Sequence, residues 1–340
     1  MGYTGAGTRV AVIDTGIDTD HQSFSAAGLE YSLSLQASEA NMSTEDYLAE
    51  LDLLDAEEIA EKVELLNIAP ILKEKGFSAE DLYFNTKIGF GFNYVDKSLD
   101  ITHDNDAMGE HGSHVEGISA ANAYIPQEDG TFLNAYEKIK MQGVAPDAQI
   151  ITMKVFGKAG GAYVSDYMAA IEDAIVLGCD SVNLSLGSGN PGTSRTDNEV
   201  YAAVMENLVN SDTVVTMSAG NSGHWAEHTV HKGLYDDGIS FDEAGSPGSY
   251  TNSLSVASVN NSGYVGSFVT VGDHMILYTE RSYVNRPIAT IAGDHEYVFI
   301  DGLGTAEDFA ALGDAVKGKV MIMSRGTITY VEKHQNAEAA

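Results

Sequence analysis

The sequence predicts an α/β fold: a parallel sheet with helices on both faces. Three observations point there. Its strand-length apolar runs lack the in–out alternation of a half-exposed sheet, as expected of strands buried on both sides. Segments with apolar residues at helical spacing separate those runs, so strands and helices alternate along the chain. With 340 residues, 44% of them hydrophobic, the chain is long enough to bury a substantial core and to form two domains.

The first strand is expected over 8–13, Thr-Arg-Val-Ala-Val-Ile, whose apolar end runs into Asp14-Thr15-Gly16. From about Gly28 to Asp106 the pattern is interrupted, which reads as an insertion. Inside it, Asp46 to Leu66 carries Leu51, Leu54, Ile59, Val63 and Leu66 on one side and reads as an acidic amphipathic helix, and Lys87 to Val95 reads as a strand. The alternation then resumes: strand Gln149 to Val155, helix Ser165 to Leu177, strand Ser181 to Leu186, helix Thr196 to Val209, strand Thr213 to Ser218 and strand Ser253 to Ser258. From about Gly263 short strand-like runs take over, His274 to Tyr278, Tyr297 to Ile300 and Lys319 to Met323, with helices at Ala306 to Leu312 and Thr329 to Ala340. The expected division is therefore 1–262, with the insertion at about 28–106, and a smaller module at 263–340. Ala337-Glu338-Ala339-Ala340 closes the sequence in mid-helix without a capping glycine, and Met1 stands only a few residues before the first strand. The first feature predicts a cut chain; the second leaves no room for a signal peptide, so that either export information was removed or the sequence starts inside a longer protein.

A formal charge of −32 argues against nucleic acid or an anionic membrane surface as a partner, because either requires a basic patch; it reads as a soluble acidic exterior, or alternatively as a field that draws in cationic peptides. No apolar run approaches the length of a membrane span. Cys179 is the only cysteine, so no intrachain disulfide forms; beside a predicted strand it reads as a small buried side chain rather than a nucleophile.

Three motifs carry chemistry. Val10-Ala11-Val12-Ile13-Asp14-Thr15-Gly16 puts one carboxylate where a buried strand meets a loop. His111-Gly112-Ser113-His114-Val115-Glu116-Gly117 reads as a loop entering a helix, with the first histidine at its mouth and glycines that allow tight packing. Ser218-Ala219-Gly220-Asn221-Ser222-Gly223 closes another apolar run and presents a carboxamide. Acyl transfer needs a base near neutrality, an acidic partner that fixes its tautomer, donors for the oxyanion and an activated hydroxyl. The first three are visible here, and the hydroxyl is not.

At this point the sequence resembles the subtilisin-like serine proteases, the subtilases, over nearly its first 260 residues. Five motifs in the family's order carry the resemblance: Val-Ala-Val-Ile-Asp14-Thr-Gly-Ile, His111-Gly-Ser-His-Val, Gly143-Val-Ala-Pro-Asp-Ala, Ser185-Leu-Gly and Ser218-Ala-Gly-Asn221. The resemblance implies a subtilisin-like parallel sheet in which Asp14 orients His111, His111 is the general base and Asn221 is a side-chain oxyanion donor. It implies that Ser185, Leu186 and Gly187 form the strand on the S1 side of the substrate, that the glycine-rich Gly157 to Tyr163, with Gly160 and Gly161, forms the opposite wall, and that an extended peptide lies between them. The last module resembles a protease-associated domain through Gly318-Lys-Val-Met-Ile-Met-Ser-Arg325-Gly326, Tyr330, Lys333 and the alanines up to Ala340. With the long insertion and Lys87-Ile-Gly-Phe-Gly-Phe-Asn-Tyr-Val, this resembles the lactocepin-like branch of secreted or wall-attached bacterial proteases, in which Gly-Thr-Ser-Met-Ala follows the inserted domain.

The implied activity is hydrolysis of peptide bonds by a serine endopeptidase through an acyl-enzyme, with the serine outside this sequence. The partners are protein or peptide substrates and the missing carboxy-terminal part of the same protein; no cofactor is required, the location is secreted or cell-envelope attached, and residues 1–340 alone are expected to be inactive. The rival is a catalytically dead peptide-binding fragment or pseudoprotease, and a third arrangement has a separate chain supply the serine. Gly192-Thr193-Ser194 is no stand-in for the serine motif, because Arg195-Thr196 replaces Met-Ala, the order is wrong, and Ser or Thr before a helix is an ordinary cap. Glu116 stands where the family usually has a small residue. It crowds the helix behind His111, or faces solvent, or sets a second carboxylate near His111, which would raise the imidazole's pKa and move the activity profile upward. His111 and His114, at i and i+3, permit a zinc site, but the flanking motif favours the protease reading and a buried, backbone-satisfied His114. His103-Asp104-Asn105-Asp106 offers oxygen ligands suited to calcium, which many subtilases bind, or is a polar turn. His224, His228 and His231 around Trp225 read as a loop near the cleft, and Ser246-Pro247 falls where the family tends to have a cis proline.

Overall fold

The computed structural model describes residues 2–191, 199–221, 245–250, 253–259, 266–278, 288–291 and 293–340. The chain forms two compact units, 1–259 and 260–340. In chain order the first contains β1 (Arg9–Asp14), α1 (Ala26–Glu39), α2 (Thr44–Glu50), α3 (Ala56–Lys62), α4 (Ala69–Lys75), β2 (Ile88–Asn93), α5 (His111–Ala120), the β3–β4 hairpin (Tyr124–Pro126 and Phe132–Asn134), α6 (Ala135–Ile139), β5 (Gln149–Lys154), α7 (Val164–Val176), β6 (Ser181–Leu184), β7 (Ser188–Pro191), α8 (Glu199–Asn207), β8 (Val214–Ser218), β9 (Gly245–Ser246) and β10 (Leu254–Val256). Six strands build one sheet in the order β10-β8-β6-β1-β5-β2, with every pairing parallel. This is the α/β architecture that unalternated apolar runs require, since both faces of such a sheet are covered.

Strand alternation sorts the core into two layers. Ala11 and Ile13 of β1, Ile151 and Met153 of β5, and Val182 and Leu184 of β6 pack in one cluster with Ile171 and Ala174 of α7 and Val204 of α8. Val10 of β1 packs instead against the cluster that holds Ile150 of β5 and Ala120 of α5. A period of two then puts Val12 and Asp14 on the α5 side of β1, and Thr152 and Lys154 on the α5 side of β5. Each fully buried Ile or Val in these layers contributes roughly 1.5–3 kcal/mol. Helix α5 is a weak helix former, with glycines at 112 and 117, but Gly112, Val115, Glu116 and Ala120 are buried on one stripe, so packing rather than propensity holds it.

Within 28–106 the structure differs from the expected single helix at 46–66. Its apolar spacing is real, since Leu54, Ile59 and Leu66 are buried. The backbone breaks between α2 and α3, however, because the Gln149 side chain clamps Leu54, accepting from its N–H at 2.8 Å and donating to its C=O at 2.9 Å. The Asp55 carboxylate then caps the Glu58 amide at 2.8 Å and restarts the helix. Strand β2, inside the same segment, is the edge strand of the central sheet and pairs with β5, so this part of the interruption is integral to the layer.

The second unit holds an antiparallel hairpin, β11 (Phe268–Val271) with β12 (His274–Leu277), and a parallel pair, β13 (Tyr297–Ile300) with β14 (Val320–Met323), linked through α9 (Ala306–Leu312). Helix α9 opens on a capping box of Thr305 and Asp308, and Ile300, Phe309 and Val316 form a small core. Helix α10 (Tyr330–Ala339) follows. Arg325 donates to the carbonyls of Gly326 (2.7 Å) and Ile328 (2.8 Å) and lies over the Tyr330 ring, while Lys333 donates to those of Leu303 and Ser324, both at 2.5 Å.

Candidate active site

The site begins where β1 ends. Asp14, 1% exposed, accepts on Oδ1 from the Thr15 N–H at 2.7 Å and from His111 Nδ1 at 2.7 Å. The Nδ1–H must be the donor in that bond, which leaves Nε2 as the basic nitrogen of the neutral ring. His111 is the first residue of α5 and its side chain is half exposed, so the pair has one end in the core and one in solvent. Burial pushes the Asp14 carboxyl above its ordinary range, and the hydrogen bond and charge of His111 oppose that. The geometry therefore ties the charge on Asp14 to its histidine partner.

Two glycines let the parts approach. Gly16 turns at φ +105°, and a Cβ there would stand 2.2 Å from the Ile101 carbonyl oxygen. A Cβ on Gly112 would stand 2.2 Å from the Gly16 carbonyl oxygen. Between them Thr15, which sequence reasoning passed over, accepts from the Gly112 N–H at 2.8 Å and donates to the Gly109 carbonyl at 3.0 Å. Helix α5 has no side-chain cap of its own at Glu110, so the Thr15 hydroxyl serves its first turn from another element. The signal was the triplet Asp-Thr-Gly itself: a hydroxyl beside the acid and a glycine beside the hydroxyl.

Lys154, in register with Asp14 on the neighbouring strand, was also missed. Its buried ammonium donates to the Thr15 carbonyl and to Asp106 Oδ2, both at 2.5 Å. That contact bears on 103–106, where the Asp106 N–H closes a turn on the His103 carbonyl at 3.0 Å, Asn105 is left-handed, and His103 Nε2 meets Ser113 Oγ at 2.7 Å. His103 and Asp106 thus hold the loop behind the site to α5 and to β5. No group of three or more His, Cys, Asp or Glu able to hold a metal occurs among the described residues.

Two expectations about α5 are corrected. His114 is exposed, not buried. Glu116 does not face solvent: it is 1% exposed and accepts from Thr152 Oγ1 at 2.8 Å, and burial pushes its carboxyl well above the ordinary range, with the charge of Asp14 adding to the effect. Burial and the neighbouring Asp14 charge both favour its neutral form, which works against the second negative charge expected behind His111.

The remaining candidates lie at the carboxyl edge of the sheet. Val12 pairs with Asn183 and Asn183 with Thr216, so Ser185 and Ser218 stand level with Asp14, and Asn221 follows three residues on, exposed. Two strand spacings, about 10 Å, separate the β1 and β8 ends. Strand β6 ends at Leu184; beyond it Ser185 is half-buried and accepts from Asn183 Nδ2 at 3.0 Å, Leu186 is buried with its carbonyl accepting from Ser218 Oγ at 3.0 Å, and Gly187 is exposed. Gly160 turns at φ +86°, its N–H donating to the Gly157 carbonyl at 2.8 Å, while Gly161 has open space at its Cβ position. The Ser246–Pro247 bond is cis. Gly192-Thr193-Ser194 and the group His224, Trp225, His228 and His231 lie outside the described residues.

A model of the Subtilase family matches residues 5–299. The chain is 31% identical to the PII-type proteinase of Lacticaseibacillus paracasei over 99% of this chain and 16% of that protein. It is 28% identical to the C5a peptidase of Streptococcus pyogenes serotype M3 over 99% of this chain and 25% of that protein. It is 25% identical to the Minor extracellular protease Vpr of Bacillus subtilis over 100% of this chain and 31% of that protein. The chain therefore spans only 16% to 31% of the length of these curated relatives.

Proposed function

The chain belongs to the subtilase family, and from that premise we propose that the protein is a serine endopeptidase in which Asp14 and His111 work with a serine carried by polypeptide outside residues 1–340. The observation that carries this reading is the 2.7 Å bond from His111 Nδ1 to a buried Asp14, which frees Nε2 to act as base. In the reaction, Nε2 takes the proton of the serine hydroxyl as its oxygen attacks the peptide carbonyl. Asp14 stabilises the imidazolium so formed, and the proton then passes to the leaving amine. The Asn221 amide donates to the oxyanion, and water repeats the cycle on the acyl-enzyme.

The same helix supports the idea of a further segment docked beside the base. His111, His114 and Ile118 are exposed at i, i+3 and i+7, one stripe of α5, and Val144, 81% exposed, donates its N–H to the Ile118 carbonyl at 3.0 Å. An apolar continuation of the face that bears the histidine suits a serine-bearing helix. We read the peptide as extended between 185–187 and 160–161, the 260–340 unit as part of a protease-associated domain, and the protein as secreted or attached to the cell envelope. One relative's name says extracellular, and no helix among the described residues is long and apolar enough to cross a membrane.

In the full-length protein, Asp14→Asn is expected to lower kcat for peptide hydrolysis by about four orders of magnitude with little change in KM. Asn221→Ala is expected to lower kcat by about 10²–10³. Unchanged turnover in the Asp14 variant refutes the assignment.

A further inference from the structure

Glu116 is a buried carboxyl that the proposed mechanism leaves idle. It lies five residues past His111 on α5. Five helical residues rise about 7.5 Å, and two strand residues span about 7 Å, which is the step from Asp14 back to Val12 and from Lys154 back to Thr152. Glu116 therefore sits one row beneath Asp14 on the same face of the sheet, where the Thr152 hydroxyl holds its Oε1 at 2.8 Å. Its Oε2 is buried with no hydrogen-bond partner, and so is Oδ2 of Asp14, whose Oδ1 takes both the Thr15 and His111 donors. Thr152 donates to Oε1, so in the neutral form that burial favours the proton belongs on Oε2. Two orphaned oxygens on neighbouring acids, one a donor and one an acceptor, are costly apart and complementary together.

We propose that Glu116 is a positioning residue that acts on the base through Asp14, its Oε2–H donating to Asp14 Oδ2 directly or across one water molecule. The inference rests on His111 being the general base. The groups acting on this carboxyl are Thr152 from β5 and Asp14 from β1, and those acting on Asp14 are His111 from α5, Thr15, and Lys154 from β5, the last engaged by the Thr15 carbonyl and Asp106. A donor on Oδ2 draws negative charge from the carboxylate and weakens its hold on a protonated imidazole. The donor therefore lowers the pH at which His111 gives up its proton.

The test compares Glu116→Gln, which keeps a donor, with Glu116→Met, which keeps the length and has none. Two readouts are followed in the full-length protein: the acid limb of kcat/KM, and the pH dependence of His111 modification by diethylpyrocarbonate, read by peptide mass spectrometry. Glu116→Met is expected to move both midpoints up by about half to one pH unit, up to a tenfold change in proton affinity, and Glu116→Gln to leave both in place. A downward shift in both variants would mean Glu116 is ionised, and no shift in either would mean it is only a core residue; each overturns the proposal. If the Met variant fails to fold, Glu116→Ala replaces it. Because the modification reads the imidazole without turnover, an inactive protein that shows the expected shift faults the proposed function rather than this inference.

Discussion

Lys154→Met keeps the side chain's length and removes the ammonium that joins the Thr15 carbonyl to Asp106. The Lys154 side chain is 2% exposed and that of Asp106 is 9% exposed, so water screens the pair little. Removing one partner of a buried pair leaves the other uncompensated and costs about 3–5 kcal/mol. Asp106 closes a turn that can open locally, so the lower end, about 3 kcal/mol, is expected. The double variant Lys154→Met/Asp106→Asn should recover at least about 1 kcal/mol relative to the sum of the singles, the mark of a direct coupling. Activity should fall further than stability explains, because Thr15 also holds the Gly112 amide and a misplacement of about 1 Å costs about 10²-fold. Guanidinium denaturation followed by circular dichroism, with kcat/KM measured under native conditions, checks both parts. A loss below about 1 kcal/mol with strictly additive variants would refute the reasoning.

Gly112→Ala should be destabilising by about 1–3 kcal/mol and should lower kcat/KM by about 10²-fold, because the new methyl meets the Gly16 carbonyl and pushes α5 from β1; thermal melts and kinetics read the two effects. Lys87, buried and donating to the carbonyls of Pro146 (2.9 Å) and Ala148 (2.8 Å), has its pKa lowered by burial to about 7. In the unfolded chain it titrates near 10.4, so between these values the unfolded state binds the extra proton and this group's penalty shrinks as pH rises. Wild-type stability relative to Lys87→Met should therefore improve by on the order of 4 kcal/mol from pH 7 to 10, and a pH-independent gap in denaturation experiments would contradict the assignment.

What was legible in the sequence was whatever local pattern controls. Buried parallel strands leave unalternated runs, so β1, β5, β6 and β8 could be read, and a carboxylate at a strand end with a histidine at a helix mouth announced the Asp14–His111 contact. Helix α1 escaped because its buried stripe mixes Leu29, Leu33 and Ala37 with Gly28 and Ser32, which blurs the apolar period. The break before Asp55 escaped because Gln149, nearly a hundred residues away, causes it. Composition gives charged residues to the surface, yet Arg9, Lys87, Glu116 and Lys154 are buried, each on partners distant in sequence. Arg9 alone reaches Asp52, Glu58 and the Leu177 carbonyl, tying the segment after α2 to the sheet.

The central claim is that the base of this site is built here and its nucleophile elsewhere in the polypeptide. A fluorophosphonate probe on the full-length protein, with the labelled residue mapped by mass spectrometry, tests it most directly. The account predicts one labelled serine outside residues 1–340, lost when His111 is replaced by alanine, and no labelling of residues 1–340 alone. A label on Ser194 or any other serine within 1–340, or labelling indifferent to His111, would contradict it.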